Sequence, residues 1–590
     1  MQKQQQMDRV IRCLFFTLLI MGFSIVGFSQ PYKYTNVATA VGIEHTYVLN
    51  NSGGGSSFYD FDMDGNDDIT LATGEGEPIH FYKNIGTGFE KVDLGINNIA
   101  QAKSVIWVDY DNDGDKDFYV AEFDGYNKLY KNDGLMNFSD VTEDSGLPVD
   151  SVRSFGAIWG DYNRDGHLDL YYTARASGIS TAGHRNRLFK NNGDGTFDER
   201  TYYAQVDDTG KLPFCSAFFD YNKDNWPDIY IANDRDKGNT LLMNNIGKFE
   251  DVSEACNADL KIDAMNVAIG DIDNNGLQDI YITNTPAGSA LLTCSLDSDT
   301  YTFEEEADVR GVGFYGIGWG ANFLDANNDG WQDLYVSGML IGSDAVSSKL
   351  YINDQSGLFN PSTDGLVGDT VRSFTNAIGD WNNDGTADII VNNSENFNSQ
   401  LWSSSGGENN WIKIGLQGVL SNKDAIGTSV ELFYDNGYQY HYTHCGIGFM
   451  GQNSSNLLIG LGEVNLIDSI KLLWSTGHID IMYNITSNQK ITLVEGFSTD
   501  GEIYVDPLIS TNTINTELSS ELSIYPNPAV DKITINIAEE NFTWKTFDLL
   551  GNEIDSGVNH SVNTETYKTG TYILSVKTKN GTRSKLFQKH

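Results

Sequence analysis

The sequence predicts an all-β chain: a seven-bladed β-propeller followed by two small β-rich domains. Three observations predict it. A nine-residue acidic loop, DYDNDGDKD at Asp109 to Asp117, recurs in seven copies whose first residues are 49, 52, 59, 51, 54 and 55 residues apart. Strand-like runs flank each copy, four to a repeat, and self-similarity at such a period signals propeller blades. The composition agrees, with 60 Gly, 30 Tyr and 30 Phe in 590 residues, which suits many short strands joined by tight turns.

The chain opens with Lys3, Arg9 and Arg12 ahead of an uncharged apolar run from Leu14 to Phe28, with small residues at Gly27 and Ser29. This reads as a secretory signal peptide over residues 1–29; the run is short for a membrane span, and Cys13 lies before it. After cleavage Cys215, Cys256, Cys294 and Cys445 remain, allowing three complete pairings. So few thiols point to metal as the main staple, and a bridge among Cys215, Cys256 and Cys294 stays open in an oxidising compartment.

A propeller over residues 30–405 follows from the repeat. In the second copy, runs at Ser104–Val108, Phe118–Ala121, Lys128–Asn132 and Phe138–Thr142 are the four strands of one blade. A fourth-strand segment precedes every loop, starting with Tyr34–Val37, but none follows the last loop after Gln400–Trp402. The N-terminal strand is therefore expected to complete the seventh blade and leave no open sheet edge. Small residues at Gly53–Ser57, Gly156–Ala157 and Gly316–Gly318 fit innermost strands crowded around an axis.

Oxygen-bearing side chains stand at positions one, three, five and nine of each loop. They are Asp60, Asp62, Asp64 and Asp68; Asp109, Asp111, Asp113 and Asp117; Asp161, Asn163, Asp165 and Asp169; and Asp220, Asn222, Asp224 and Asp228 in loops one to four. Loops five to seven carry Asp271, Asp273, Asn275 and Asp279; Asp325, Asn327, Asp329 and Asp333; and Asp380, Asn382, Asp384 and Asp388. Ca²⁺ takes six to eight oxygens, and these sets plus a position-seven carbonyl suit it, so up to seven structural Ca²⁺ are expected. Loops with an Asn should bind more weakly. Asn225 stands where the other loops have Gly and is expected to take the left-handed conformation. Saturated ligand sets point to a structural role, since metal catalysis needs an open position.

These loops and blades resemble FG-GAP/VCBS repeats, the family that builds the calcium-bearing propeller of integrin α chains, over residues 31–405. The resemblance implies a binding platform that presents ligands to the face opposite its calcium loops. The connections entering the first strands there hold Lys103, Arg153, Lys211, Lys261, Arg310 and Arg372, with His45 in the first blade. A basic ring in so acidic a chain would focus an anionic ligand such as an acidic glycan, and Ala176–Arg187, with His184, Arg185 and Arg187, would act as its lid. The plainer reading is that these cations neutralise neighbouring carboxylates. The net charge of −43 argues against nucleic acid or anionic membrane as partner.

Strand-like runs without loops continue over residues 406–496. This stretch resembles the UnbV/ASPIC domain of cartilage acidic protein relatives at Ala425–Val430, Gly446–Ser454, Gly460–Gly462 and Trp474–Gly477. Ser475 departs from the Pro that the family has after that Trp. Alternation over Tyr438, Tyr440, His441, Tyr442 and His444 reads as two faces of a strand, ahead of a sugar or metal site. A Thr/Ser/Asn-rich linker over 497–520 leads to residues 521–590, where Tyr525–Pro528, Asp548–Gly551 and Gly570–Tyr572 are similar to a type A sorting domain of the type IX secretion system. That resemblance implies passage through the periplasm of a Gram-negative cell, export across the outer membrane by the type IX machinery, and surface attachment or release.

The resulting expectation is a secreted or cell-surface, calcium-stabilised binding protein for an extracellular glycan or protein, without catalysis. The alternative is a polysaccharide lyase or hydrolase working on the basic face. No nucleophile elbow, zinc motif or phosphate loop is legible.

Overall fold

The computed structural model describes residues 33–47, 53–175 and 185–496 apart from short breaks at 236, 340–345, 363–365, 367–368, 370, 395–396 and 436, together with strands and turns between 523 and 589. The expected signal peptide, the 497–520 linker, His184 with most of its connection, and the Asp548–Gly551 turn lie outside the described residues.

The described strands between 34 and 404 fall into seven antiparallel four-stranded units. In unit two they are Ala102–Val108, Asp117–Gly125, Lys128–Asn132 and Phe138–Asp140. Unit seven consists of Ser373–Gly379, Asp388–Asn393 and Gln400–Ser404, and its outer strand is Tyr34–Asn36, with Thr35 opposite Ser403. The first strands neighbour one another in cyclic order, the last touching the first, so the units ring a common axis. Units two and three are also joined directly, because Val152 and Arg153 pair with Gly125 and Phe123.

Each acidic loop connects a first strand to a second that begins at the position-nine Asp. All loops therefore lie on one face. Apolar side chains from successive units pack between the sheets, with Trp107, Trp159, Tyr119, Tyr171 and Tyr281 almost wholly buried. Four free cysteines are buried as well, so Cys215, Cys256 and Cys294 form no bridge here.

Residues 410–494 form two further sheets. Asn410–Gln417 lies between Leu457–Gly462 and Gln489–Val494, and Ser429–Tyr434 lies between Gly437–Tyr442 and Leu466–Leu473. They share a core of Ile412, Val430, Leu432, Ile470, Leu472 and Trp474, the last donating its indole N–H to Asp480 at 2.8 Å. The C-terminal stretch has its own core around Ile533, Trp544 and Leu574. Among the described residues no helix is long and apolar enough to cross a membrane.

Candidate metal face and axial plug

The acidic loops share one backbone recipe. Position four is left-handed in all seven, at Met63, Asn112, Arg164, Lys223, Asn274, Asn328 and Asn383, and position six is left-handed too, with Asn225 at φ 64° among the glycines. The position-one carboxylate caps the turn: in loop one, Asp60 accepts the N–H groups of Asp64 and Gly65 at 3.0 and 2.8 Å. The position-nine carboxylate closes it: Asp68 accepts the N–H of Phe61 on one oxygen and that of Asn84 on the other. Asn84 ends the third strand, and its amide reaches the Trp381 carbonyl of the preceding unit at 2.6 Å. Asn191, Asn244 and Asn353 repeat this bridge. The Asn ending the third strand thus ties neighbouring loops together, a role the sequence reading missed although KN, MN and IN recur there.

A cation fits these loops. In loops one, two and five the ligand atoms of Asp60, Asp62 and Asp68, of Asp109, Asp111 and Asp117, and of Asp271, Asp273 and Asp279 lie within 4.8 Å of one another. Asp109 Oδ1, Asp117 Oδ2 and Asp273 Oδ1 are buried without a hydrogen-bond donor, and a hard divalent ion would satisfy such oxygens. Without one, burial first and then neighbouring carboxylates push Asp60 up to about 7 and Asp109 likewise. Burial also raises Asp68 and Asp117 to about 9 against their backbone hydrogen bonds. Loops one to three carry a partial substitute. Lys83 pairs with Asp62 and Asp64, Lys131 with Asp111 and Asp113, and Lys190 with Asp165. Met243, Thr293, Ile352 and Ser403 hold the matching places in units four to seven.

Every loop meets the region after residue 406. Lys490 donates to the Gly65 carbonyl of loop one at 2.9 Å, and Lys116 of loop two forms a buried pair with Asp424. Ser475, the departure from the family pattern, donates to Asp161 of loop three at 3.3 Å, while its carbonyl accepts from Arg164. Lys223 of loop four lies 4.1 Å from the Tyr440 ring centre, and Tyr438 abuts Gly276 of loop five. Gly462 donates to Asn328 of loop six. Lys413 sits buried between Asp67 of loop one and Asp380 of loop seven, at 3.5 and 3.3 Å. The Tyr438–His444 stretch is therefore packed against loops, and the small β-domain covers the metal face.

One segment of it goes further, running into the axis and bonding to all seven units. Gln452 exchanges backbone hydrogen bonds with Ser56 and Phe58 of unit one, while its side-chain amide spans both backbone groups of Trp107 in unit two at 2.8 and 2.7 Å. The Cys445 carbonyl accepts from Trp159 of unit three, and His444 Nδ1 donates to Phe218 of unit four at 2.9 Å. Gly448 donates to Val267 of unit five and Asn453 to Asn322 of unit six, while Asn453 accepts from Ile378 of unit seven. Phe449 is 0% exposed and packs on Trp319 and Phe214, its carbonyl accepting from Thr375 at 2.6 Å. Space dictates the glycines: a Cβ on Gly446, at φ +78°, would stand 2.3 Å from the Ala157 carbonyl, and one on Gly55 2.3 Å from that of Met450.

The opposite face receives the expected cations unevenly. Lys103 is wholly buried, donating to Gly53 O at 2.6 Å and facing the rings of Tyr47, Phe123 and Phe155, so it is an internal tie and no member of an exposed ring. Burial lowers its ammonium to about 7. Arg310 is also corrected: it bonds Glu306 and lies 3.9 Å from Asp273, on the metal side. Arg153 stacks on Phe123, Lys211 pairs with Asp208, Lys261 pairs with Asp259, and Arg372 is half-buried. Arg185 pairs with Glu199 and Arg187 with Asp150. Arg175, unmarked in the sequence reading, lies 4.0 Å over Phe214 and bonds Asp234.

Comparison with known proteins agrees with this division. The model of the FG-GAP-like repeat matches residues 60–120, 109–172, 220–282 and 325–391, that of ASPIC and UnbV matches 418–500, and that of a secretion system C-terminal sorting domain matches 523–589. No curated protein sequence matches the chain. Among solved structures, the extracellular domain of the putative hybrid two component system BT3049 from B. thetaiotaomicron is 13% identical, covering 94% of this chain and 67% of that one, with a TM-score of 0.38. BBS1N, solved in complex with ARL6DN, is 10% identical over 63% of this chain and 96% of its own, with a TM-score of 0.39. The Dos1 propeller is 10% identical over 64% and 95%, with a TM-score of 0.33. The chain carries, in order, FG-GAP-like repeats in a β-propeller, an ASPIC and UnbV domain, and a sorting tail that marks a secreted or outer-surface protein of the type IX route.

Proposed function

We propose that this is a calcium-stabilised binding protein that presents the open face of its propeller to an acidic extracellular glycan, after export through the periplasm of a Gram-negative cell. One observation carries the reading: every acidic loop abuts the ASPIC-like region and the axis is plugged from that side, leaving the opposite face for a partner. Arg153 there lies over the Phe123 ring, and a guanidinium on an aromatic face suits recognition of anionic groups; Arg175, over Phe214, is tied to Asp234. Lys211 and Lys261, each beside a carboxylate, and Arg372 are the further cations there. The loops serve the fold, because their position-nine carboxylates are buried and bond the backbone, and every loop abuts the ASPIC-like region.

The test is a binding array of acidic and neutral glycans with the full-length secreted protein in calcium, assayed also for product release. Binding to acidic glycans that falls in Arg153→Ala and Arg372→Ala supports the reading. An array without signal sends the assignment to a protein partner, and turnover of a bound polysaccharide replaces binding with catalysis.

A further inference from the structure

We propose that His45 and His80 form a site for one divalent transition-metal ion of the zinc class, on the face away from the acidic loops. His80 opens the third strand of unit one, His80–Asn84, at the end remote from loop one. His45 belongs to the segment between units seven and one, where its carbonyl accepts from Ser399. The two Nδ1 atoms face each other at 2.9 Å, with the rings nearly perpendicular. Both line a cavity of about 280 Å³ with Glu44, Glu77, Thr46 and Thr73.

Two facts point to a ligand beyond a simple imidazole pair. A hydrogen bond between the Nδ1 atoms of two neutral rings fixes one tautomer, in which the ring that donates has a bare Nε2. His45 Nε2 is buried, on the side of the Ala72 carbonyl and Asn392. With the proton on Nε2, the His45 Nδ1 lone pair faces His80 and is left for a metal. A metal-bound imidazole commonly donates its other N–H to a backbone carbonyl in this way. The rings are also held neutral: burial, then His80 and Lys91, lowers His45 to about 3, and burial with Lys91 lowers His80 to about 4.

Lys91 is the nearby cation that opposes a metal; Glu77 acts against it, and Glu44 lines the same cavity. Imidazole nitrogen suits zinc, copper and nickel, whereas Ca²⁺ prefers oxygen. The His pair and the acidic loops therefore select different ions. Two protein nitrogens leave open positions for water or a donor from the cavity.

The experiment titrates the full-length secreted protein, held in excess Ca²⁺, with Co²⁺, read by visible absorption and calorimetry, and then displaces it with Zn²⁺. The expected result is one Co²⁺ per chain, weakened at least ~10-fold in His80→Ala, with the calcium-dependent melting temperature unchanged in that variant. His45→Gln repeats the test from the other ligand. Absence of Co²⁺ binding in the native chain, or equal binding in native and His80→Ala proteins, overturns the site.

Discussion

The two faces of the propeller come from the same strands and differ in what completes them. On the metal face, buried carboxylates, buried lysines and the axial segment complete one another across units and across the two regions. On the open face the cations complete themselves locally, on aromatic rings or against a neighbouring carboxylate. The difference teaches that charge in a repeat protein is read by its partners: Lys413 and Lys490 reach a loop from the ASPIC-like region and Lys116 reaches back from loop two to Asp424, while Lys261 is 67% exposed beside Asp259. A partner-binding surface can vary only where nothing else in the chain depends on it.

The largest effect that would break this comparison is calcium removal. A site held at a hundred times its dissociation constant contributes about 2.7 kcal/mol, so chelation should lower the melting temperature of the propeller and the ASPIC-like region together; separate transitions would deny their coupling. Next, Lys413→Ala strands Asp67 and Asp380 without their buried partner and should cost about 3–5 kcal/mol, measured by urea unfolding. Phe449→Ala empties the aromatic centre of the axis and should cost a similar ~3–5 kcal/mol. Gln452→Ala leaves the buried N–H and carbonyl of Trp107 without these partners, at about 1–3 kcal/mol for each group.

A smaller, signed effect is pH dependence. In the metal-free protein Asp60 and Asp109 titrate near 7 and Asp68 and Asp117 near 9, all raised above their unfolded values by burial. The native state then holds more protons than the unfolded chain, so stability in EDTA should fall as pH rises from about 4, up to 7 for Asp60 and Asp109 and on to 9 for Asp68 and Asp117. Bound calcium needs deprotonated ligands and should abolish that fall; a metal-free melting temperature that rises over this window would contradict the burial argument. On the open face, Lys261→Ala should leave stability within ~0.5 kcal/mol of native.

Much of the metal face was legible because its chemistry is local. Nine consecutive residues carry the whole turn, and Asn225 behaves as its small polar side chain allows. The axial plug was not legible. Gly446–Ser454 is a short glycine-rich run whose hydrogen bonds go to strands 74 to 396 residues away, and no periodicity marks a segment that, with His444 and Cys445, reaches seven different units through backbone and side chains alike. Lys103 misled for a related reason: its place just before a first strand resembled that of Arg153, but that place lies inside the axis, against Gly53 and three aromatic rings. Ser475 looked like a loss of a turn residue, and its hydroxyl proved to serve Asp161.

The most direct test of the account is hydrogen exchange at the amides of Gly448, Gln452 and Ser454, which bond to Val267, Ser56 and Ile378, compared in calcium and in EDTA. The account predicts that in calcium they exchange as slowly as the inner strands, and that chelation releases them along with those strands. Rapid exchange in calcium, with the propeller strands still protected, would mean that the segment does not hold the axis and that the two regions are merely neighbours.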